Sequence, residues 1–282
     1  MAERPDRELS DEPPYNEILV PLVGSSAAEA AVPVARWLGA LAASPLTLVT
    51  QVPSQSGRSE AVAYLAAVAD GVGRLDTSHV VVEAGRAADA ILECATGRPD
   101  ALVVMETHGR SPLGQLVLGS VSVEVVRRSS IPVVLVGPAA REPRQEGGVT
   151  RVIVCLDGNE SAERALGPAR RAARSFGTPL TLVQVQQRDA TRSSHGDVSE
   201  TGYLRSVAER LGDDLVVDWE VVTSETPVGG IVATIDDDVN ALVVLATSAR
   251  RLGEQFRHGS VTLDVVAASP APVLVVGPAV TV

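Results

Sequence analysis

The chain has 282 residues, 24 basic against 35 acidic, giving a formal net charge of -11. An acidic surface repels phosphate backbones and anionic lipid, and aromatics at 2% leave little to stack on unpaired bases, so neither nucleic acid nor a membrane is expected as the main partner. At roughly 100–200 residues per domain the length suits two domains, and 45% hydrophobic residues with so few aromatics make their cores aliphatic.

Residues 1–14 are polar, carry no apolar segment of the signal-peptide kind, and close on Pro13-Pro14, so they read as a disordered acidic tail. Short Val/Leu/Ile runs then alternate with Ala-rich stretches of helical spacing. The strands of the first half are expected at Glu17–Val23, Leu46–Val52, Val80–Glu83, Ala101–Met105 and Val133–Val136. Helices fall between them near Ala27–Ala42, Ser59–Leu75, Ala87–Thr96 and Ser120–Arg128. Residues 140–149 carry Pro, a Gly pair and mixed charge and read as an interdomain linker. The second half repeats the order, with strands at Arg151–Leu156, Leu180–Gln186, Leu215–Val222, Ala241–Ala246 and Val273–Val276. Its helices are expected near Ala162–Phe176, Glu200–Leu211, Pro227–Asp236 and Val261–Ala268. No apolar run approaches the roughly 18–20 residues of a spanning helix, and the chain is expected to be cytoplasmic.

The two halves are copies. Ala101-Leu-Val-Val-Met105 returns as Ala241-Leu-Val-Val-Leu245, Gly119-Ser-Val-Ser122 as Gly259-Ser-Val-Thr262, and Pro45-Leu-Thr-Leu-Val49 as Pro179-Leu-Thr-Leu-Val183. The spacing between copies grows along the chain, which places extra residues of the second copy in the Arg188–Glu200 loop. Near-continuous apolar strands alternating with helices mean a parallel sheet covered on both faces. The expected architecture is α/β: two tandem doubly wound, five-stranded parallel-sheet, Rossmann-like domains, spanning residues 15–139 and 150–282. The last strand of each copy is apolar and lies at a sheet edge in this topology, so the halves are expected to pair edge to edge as an intramolecular pseudo-dimer, with a homodimer as further association.

All 24 basic residues are Arg. Without Lys there is no Walker-type P-loop, no Schiff-base chemistry and no kinase strand lysine. Cys94 and Cys155 stand alone in apolar contexts and read as buried small hydrophobes. His79 and His195 read as surface residues, while His108 and His258 sit in loops beside the candidate site. Asp236-Asp237-Asp238 reads as a solvated charge run, and Arg164, Arg170, Arg171 and Arg174 as partners of Glu160 and Glu163 on one helix.

In an open parallel sheet, ligands bind at the carboxyl ends of the strands where strand order reverses. After the fourth strand the first half reads Met105-Glu-Thr-His-Gly109, then Gly119-Ser120-Val121-Ser122; the second reads Leu245-Ala-Thr-Ser-Ala249, then Gly259-Ser260-Val261-Thr262. Gly-Ser-x-Ser/Thr opens the next helix, where a small residue, free N–H groups and hydroxyls favour a phosphate. Asp157-Gly158 ends the first strand of the second half, and that carboxylate could accept from a sugar hydroxyl or hold a metal.

These features together resemble the universal stress protein family, and the chain resembles its tandem two-domain members from residue 16 onward. The closing strands Ile131-Pro-Val-Val-Leu-Val-Gly137 and Ala271-Pro-Val-Leu-Val-Val-Gly277 are also typical of it. The resemblance implies ATP, with Mg²⁺ or Mn²⁺, across the strand ends. It assigns nucleotide contacts to Gly109, Gly119, Ser120 and Ser122 in the first half, and to Asp157, Gly259, Ser260 and Thr262 in the second. Both halves depart from the pattern: Glu106 replaces the loop's first glycine and Val23 the first-strand aspartate, while Ala246 and Ala249 replace both early glycines of the second copy. A carboxylate beside polyphosphate repels it, whereas Arg250, Arg251, Arg257 and His258 add positive charge to the second loop.

The expected role is a stress-response sensor or regulator that binds an adenine nucleotide. With no catalytic residues assigned, ATP hydrolysis is expected to be weak at most. The alternatives are a scaffold with decayed sites that acts through protein contacts, and an adenine-nucleotide α-hydrolase, which shares the fold alone.

Overall fold

The computed structural model describes residues 14–22, 27–73, 75–110, 116–187, 197–212, 214–247 and 260–281. The expected tail lies outside these except for Pro14, as do Val23, His195, His258, Gly259 and most of the Arg188–Glu200 loop.

The first half contains β1 (Glu17–Pro21), α1 (Ala31–Ala42, entered through a 3-10 turn at Ala28–Ala30), β2 (Leu46–Val52), α2 (Arg58–Val72), β3 (Thr77–Glu83) and α3 (Ala87–Ala95). It continues through β4 (Ala101–Glu106), β5 (His108–Arg110), β6 (Leu116–Leu118), α4 (Ser120–Arg128) and β7 (Val133–Val136). The second half contains β8 (Val152–Leu156), α5 (Glu160–Glu163), α6 (Leu166–Phe176), β9 (Leu180–Gln187), α7 (Asp197–Leu211), β10 (Val217–Ser224), α8 (Pro227–Ile235), β11 (Leu242–Ala246), α9 (Val261–Ala268) and β12 (Val273–Val276). The expected elements are all present. The hairpin β5–β6 is additional: His108 pairs with Leu118, Gly109 with Val117 and Arg110 with Leu116 where the sequence reads as a loop. Leu116-Val-Leu118 supplies the strand-forming residues for that ladder.

Ten strands form one sheet in the order β10-β9-β8-β11-β12-β7-β4-β1-β2-β3. Every pairing is parallel except β7 with β12, whose antiparallel register sets Leu274 opposite Val134. That pairing joins the copies, so the intramolecular pseudo-dimer is present. Strands at the centre are buried on both faces, as β4 and β8 are along their whole length. Helices α1, α2, α6 and α7 cover one face and α3, α4, α8 and α9 the other, and each apolar layer runs through both copies.

Glycine makes the junction possible. A Cβ on Gly137 would stand 1.8 Å from the backbone oxygen of Val266 in α9, and one on Gly277 would stand 1.9 Å from that of Val126 in α4. Each copy thus lays the end of its last strand on the backbone of the other copy's last helix.

A second contact crosses from α6. Arg171, 6% exposed, reaches the first copy, where it pairs with Asp100 at 2.8 Å and donates to the carbonyls of Pro99 and Pro14. Its guanidinium lies 4.3 Å from the Tyr15 ring centroid, and the Tyr15 N–H donates to Ser175 Oγ at 3.0 Å. The expected pairing of these arginines with Glu160 and Glu163 is therefore corrected. Arg164 binds the carbonyls of Gly277, Pro278 and Val280, and Arg170 and Arg174 both grip Asp214, holding its carboxyl below the ordinary range. These partners come from distant segments that helical spacing cannot show.

Residues 140–149 are likewise fastened. Trp37 Nε1 donates to the Gly147 carbonyl at 2.7 Å, and Asn240 Nδ2 reaches the carbonyls of Arg144, Gly147 and Gly148. The acidic run takes part: Asp237 pairs with Arg141, and Asp238 accepts from Thr150 Oγ1 at 2.6 Å.

Candidate functional site

Strand order reverses between β1 and β4 in the first copy and between β8 and β11 in the second, so each copy has one crevice at its strand ends. The two crevices are built differently.

In the first, the polar groups are used internally. Glu106 is buried at the end of β4, and its carbonyl accepts from the Ser122 hydroxyl at 3.3 Å. Thr107 Oγ1 donates to the Val136 carbonyl at 3.2 Å, and the Gly119 N–H donates to the Thr107 carbonyl at 2.8 Å. Ser120, the first residue of α4, is exposed. Gly109 lies in the hairpin opposite Val117, and β6 of that hairpin rests beside α9 of the other copy.

In the second crevice, some polar groups have no partner among the described residues. Asp157 follows β8 and is exposed; its Oδ1 accepts the Asn159 N–H at 3.0 Å while Gly158, at φ +81°, turns the chain. Gln184 on β9 is paired with Leu156 at the end of β8, and β11 runs on the other side of β8 with Val244 opposite Val154. Continuing these registers sets Thr247 level with Asp157 on the α9 side of the sheet, while Gln184, level with Leu156, lies on the α6–α7 side. Gln184 Oε1 and Thr247 Oγ1 are buried with no hydrogen-bond partner among the described residues. Ser260 caps α9 without a side-chain cap bond, and both Ser260 and Thr262, the second residue of the helix, are buried. Gln184 and Thr247 escape sequence reasoning because their significance is an unmet hydrogen bond, which only the packed structure reveals.

A matched Tyr–Glu pair stands behind each crevice. Tyr64 of α2 donates to Glu29 Oε1 at 3.1 Å, and Tyr203 of α7 to Glu163 Oε1 at 3.1 Å, with Arg210 on the other oxygen at 2.8 Å. Burial pushes the Tyr64 hydroxyl up to about 12, helped by Glu29. Burial and then the Glu163 charge raise Tyr203 as well, so both remain neutral donors that fix the turn after the first strand. Both cysteines are buried and free, as expected, and burial raises the Cys155 thiol to about 12. His79 is exposed on β3, also as expected. Among the described residues no three His, Cys, Asp or Glu side chains group to hold a metal, and no helix is long and apolar enough to cross a membrane.

The sequence profile of the universal stress protein family matches residues 14–137 and 148–277. A curated relative from Thermus aquaticus, a universal stress protein in the QAH/OAS sulfhydrylase 3' region, is 42% identical over 79 residues, 28% of this chain and 56% of that protein. The chain thus spans little more than half of that relative. A universal stress protein of Archaeoglobus fulgidus superposes over 93% of this chain and 98% of its own, with a TM-score of 0.68 at 19% identity, which is a likeness of fold. Another protein of that family from Archaeoglobus fulgidus, solved in complex with dAMP, covers 44% of this chain and 97% of its own at 21% identity, with a TM-score of 0.35. With both copies of the repeat matched by the family profile, the chain belongs to the universal stress protein family and carries two of its domains in tandem.

Proposed function

We propose that this protein is a stress-response regulator whose second copy binds an adenine nucleotide, ATP or a close relative, across the ends of β8, β9 and β11. The carrying observation is Thr247 Oγ1, buried without a hydrogen-bond partner among the described residues and level with the exposed Asp157 on the neighbouring strand. Leaving such a group unsatisfied costs about 1–3 kcal/mol, a deficit that a bound base, sugar or phosphate would relieve. Asp157 accepts from the sugar hydroxyls, and Ser260 and Thr262 supply donors at the head of α9. The first copy does not suit a nucleotide, because the Glu106 carboxylate is buried there and the Gly119 N–H is turned inward. Mg²⁺ or Mn²⁺ enters with the phosphates. The dAMP complex belongs to the Archaeoglobus fulgidus protein; the reading here rests on the second crevice itself.

The test is calorimetric titration of the full chain with ATP and Mg²⁺. Asp157→Ala is expected to weaken binding about tenfold, equivalent to about 1.4 kcal/mol, while Glu106→Gln leaves it unchanged. Thr247→Val should weaken binding yet raise the melting temperature of the free protein, because it removes the unmet hydroxyl. Absence of binding at millimolar ATP overturns the reading and leaves the scaffold alternative standing.

A further inference from the structure

The ten-stranded sheet ends on β3 on one side and β10 on the other, and these outer strands are counterparts in the two copies. They differ in one respect. Among the described residues the exposed large hydrophobics are Val216 and Trp219, 69% and 42% exposed, and both belong to the β10 edge. His79 stands opposite Leu48 in the first copy as Trp219 stands opposite Leu182 in the second, and Asp76 precedes β3 where Val216 precedes β10. One edge is polar and the other apolar.

The β10 edge also has an electrostatic face. The Val216 carbonyl accepts from the Leu180 N–H of β9, so by strand alternation the N–H and C=O groups of Val217, Trp219, Val221 and Thr223 point away from β9. Side chains alternate across the sheet as well. Val217, Trp219 and Val221 lie on the α7 side, while Asp218 and Glu220 lie on the α8 side, where helix α8 has no basic residue. Asp218 is exposed, and Glu220 Oε1 is buried without a hydrogen-bond partner. Nothing among the described residues pairs with the outer side of β10, and this eight-residue edge has no Pro, Lys or Arg, so its only charges are Asp218 and Glu220, which disfavour an acidic strand and leave the edge open to a basic one.

We propose that the β10 edge is a docking strand for an extended segment of a partner protein that alternates apolar and basic residues, with its apolar side on Trp219 and its cations on Asp218 and Glu220. A second copy of this chain is the poorer occupant, since the approaching edge would bring its own acidic residues to the same side. The outward amide groups supply the ladder hydrogen bonds and the side chains set the pattern. The inference is independent of nucleotide binding.

The probe is a synthetic peptide of about ten residues alternating Val and Lys, a typical strand length, titrated against the full chain without nucleotide. Trp219 fluorescence should shift to the blue as its ring is covered, with the buried Trp37 as constant background. Trp219→His, which installs the residue type found at the matched position of β3, is expected to weaken binding about tenfold, and Val221→Pro likewise by removing an outward N–H without breaking the β9 ladder. Glu220→Gln should weaken binding and flatten its salt dependence, and a Val–Glu peptide should not bind. The proposal is overturned if the Val–Lys peptide fails to bind, or binds Trp219→His and Val221→Pro as tightly as the native chain. It is equally overturned if sedimentation shows a dimer that Trp219→His abolishes, because the edge then pairs with its own copy.

Discussion

The two copies share a strand order and a helix arrangement, yet their strand ends are finished in opposite ways. In the first, the Ser122 and Thr107 hydroxyls and the Gly119 N–H all bond to neighbouring backbone, and Glu106 is buried at the end of β4. In the second, Thr247 keeps a buried hydroxyl unpaired level with an exposed Asp157, and Gln184 keeps a buried amide oxygen unpaired on the other face of the sheet. The outer strands differ in parallel, polar at His79 and apolar at Trp219. On the reading proposed above, a repeated fold separates two roles: one copy satisfies its own polar groups, while the other offers groups to a ligand. The copies are not independent bodies. Both apolar layers run through the β7–β12 junction.

The junction offers the sharpest test of that equivalence. Gly137→Ala and Gly277→Ala each place a methyl group within 2 Å of a backbone oxygen in the opposite copy, at 1.8 Å and 1.9 Å. Each is expected to cost at least about 3 kcal/mol in urea unfolding, since backbone cannot yield as a side chain does. Equal losses would show that the copies brace one another symmetrically; unequal losses would locate a dominant side.

A smaller effect is expected where the copies are unlike. Arg171→Leu removes a largely buried guanidinium that only the second copy sends across the junction, leaving Asp100 without its ion pair. The expected loss is about 2–3 kcal/mol. Arg205→Leu, which breaks an exposed pair with Glu209, should change stability by less than about 0.5 kcal/mol and serves as the control.

The finest comparison concerns one backbone angle. Helix α1 ends on Ala43 at φ 51°, and α6 ends at the matched place on Gly177 at φ 61°. Both are left-handed, a conformation that a Cβ disfavours. Ala43→Gly is therefore expected to stabilise the protein by about 0.5–1 kcal/mol, and Gly177→Ala to destabilise it by a similar amount, both read from thermal melts.

Much of this architecture is written in local pattern. The apolar runs and their spacing name the ten sheet strands, because a strand buried on both faces has to be apolar throughout, as Ala101–Met105 is. The hairpin β5–β6 is missed because three-residue strands leave no periodicity to read. The site was legible only in outline. Asp157, Ser260 and Thr262 stand out as residue types at strand and helix ends, whereas Gln184 in Leu-Thr-Leu-Val-Gln looks like any strand residue.

The sequence by itself determined the fold class, the duplication and the position of the crevices, since these follow from periodicity and repetition along the chain. Tertiary structure decided which crevice stays open, which arginine crosses the junction and why Gly137 and Gly277 have no side chain. The last two depend on whether a polar group or a Cβ meets a partner a hundred or more residues away, and the first on hydrogen bonds between separate strand and helix ends; no local spacing encodes either encounter.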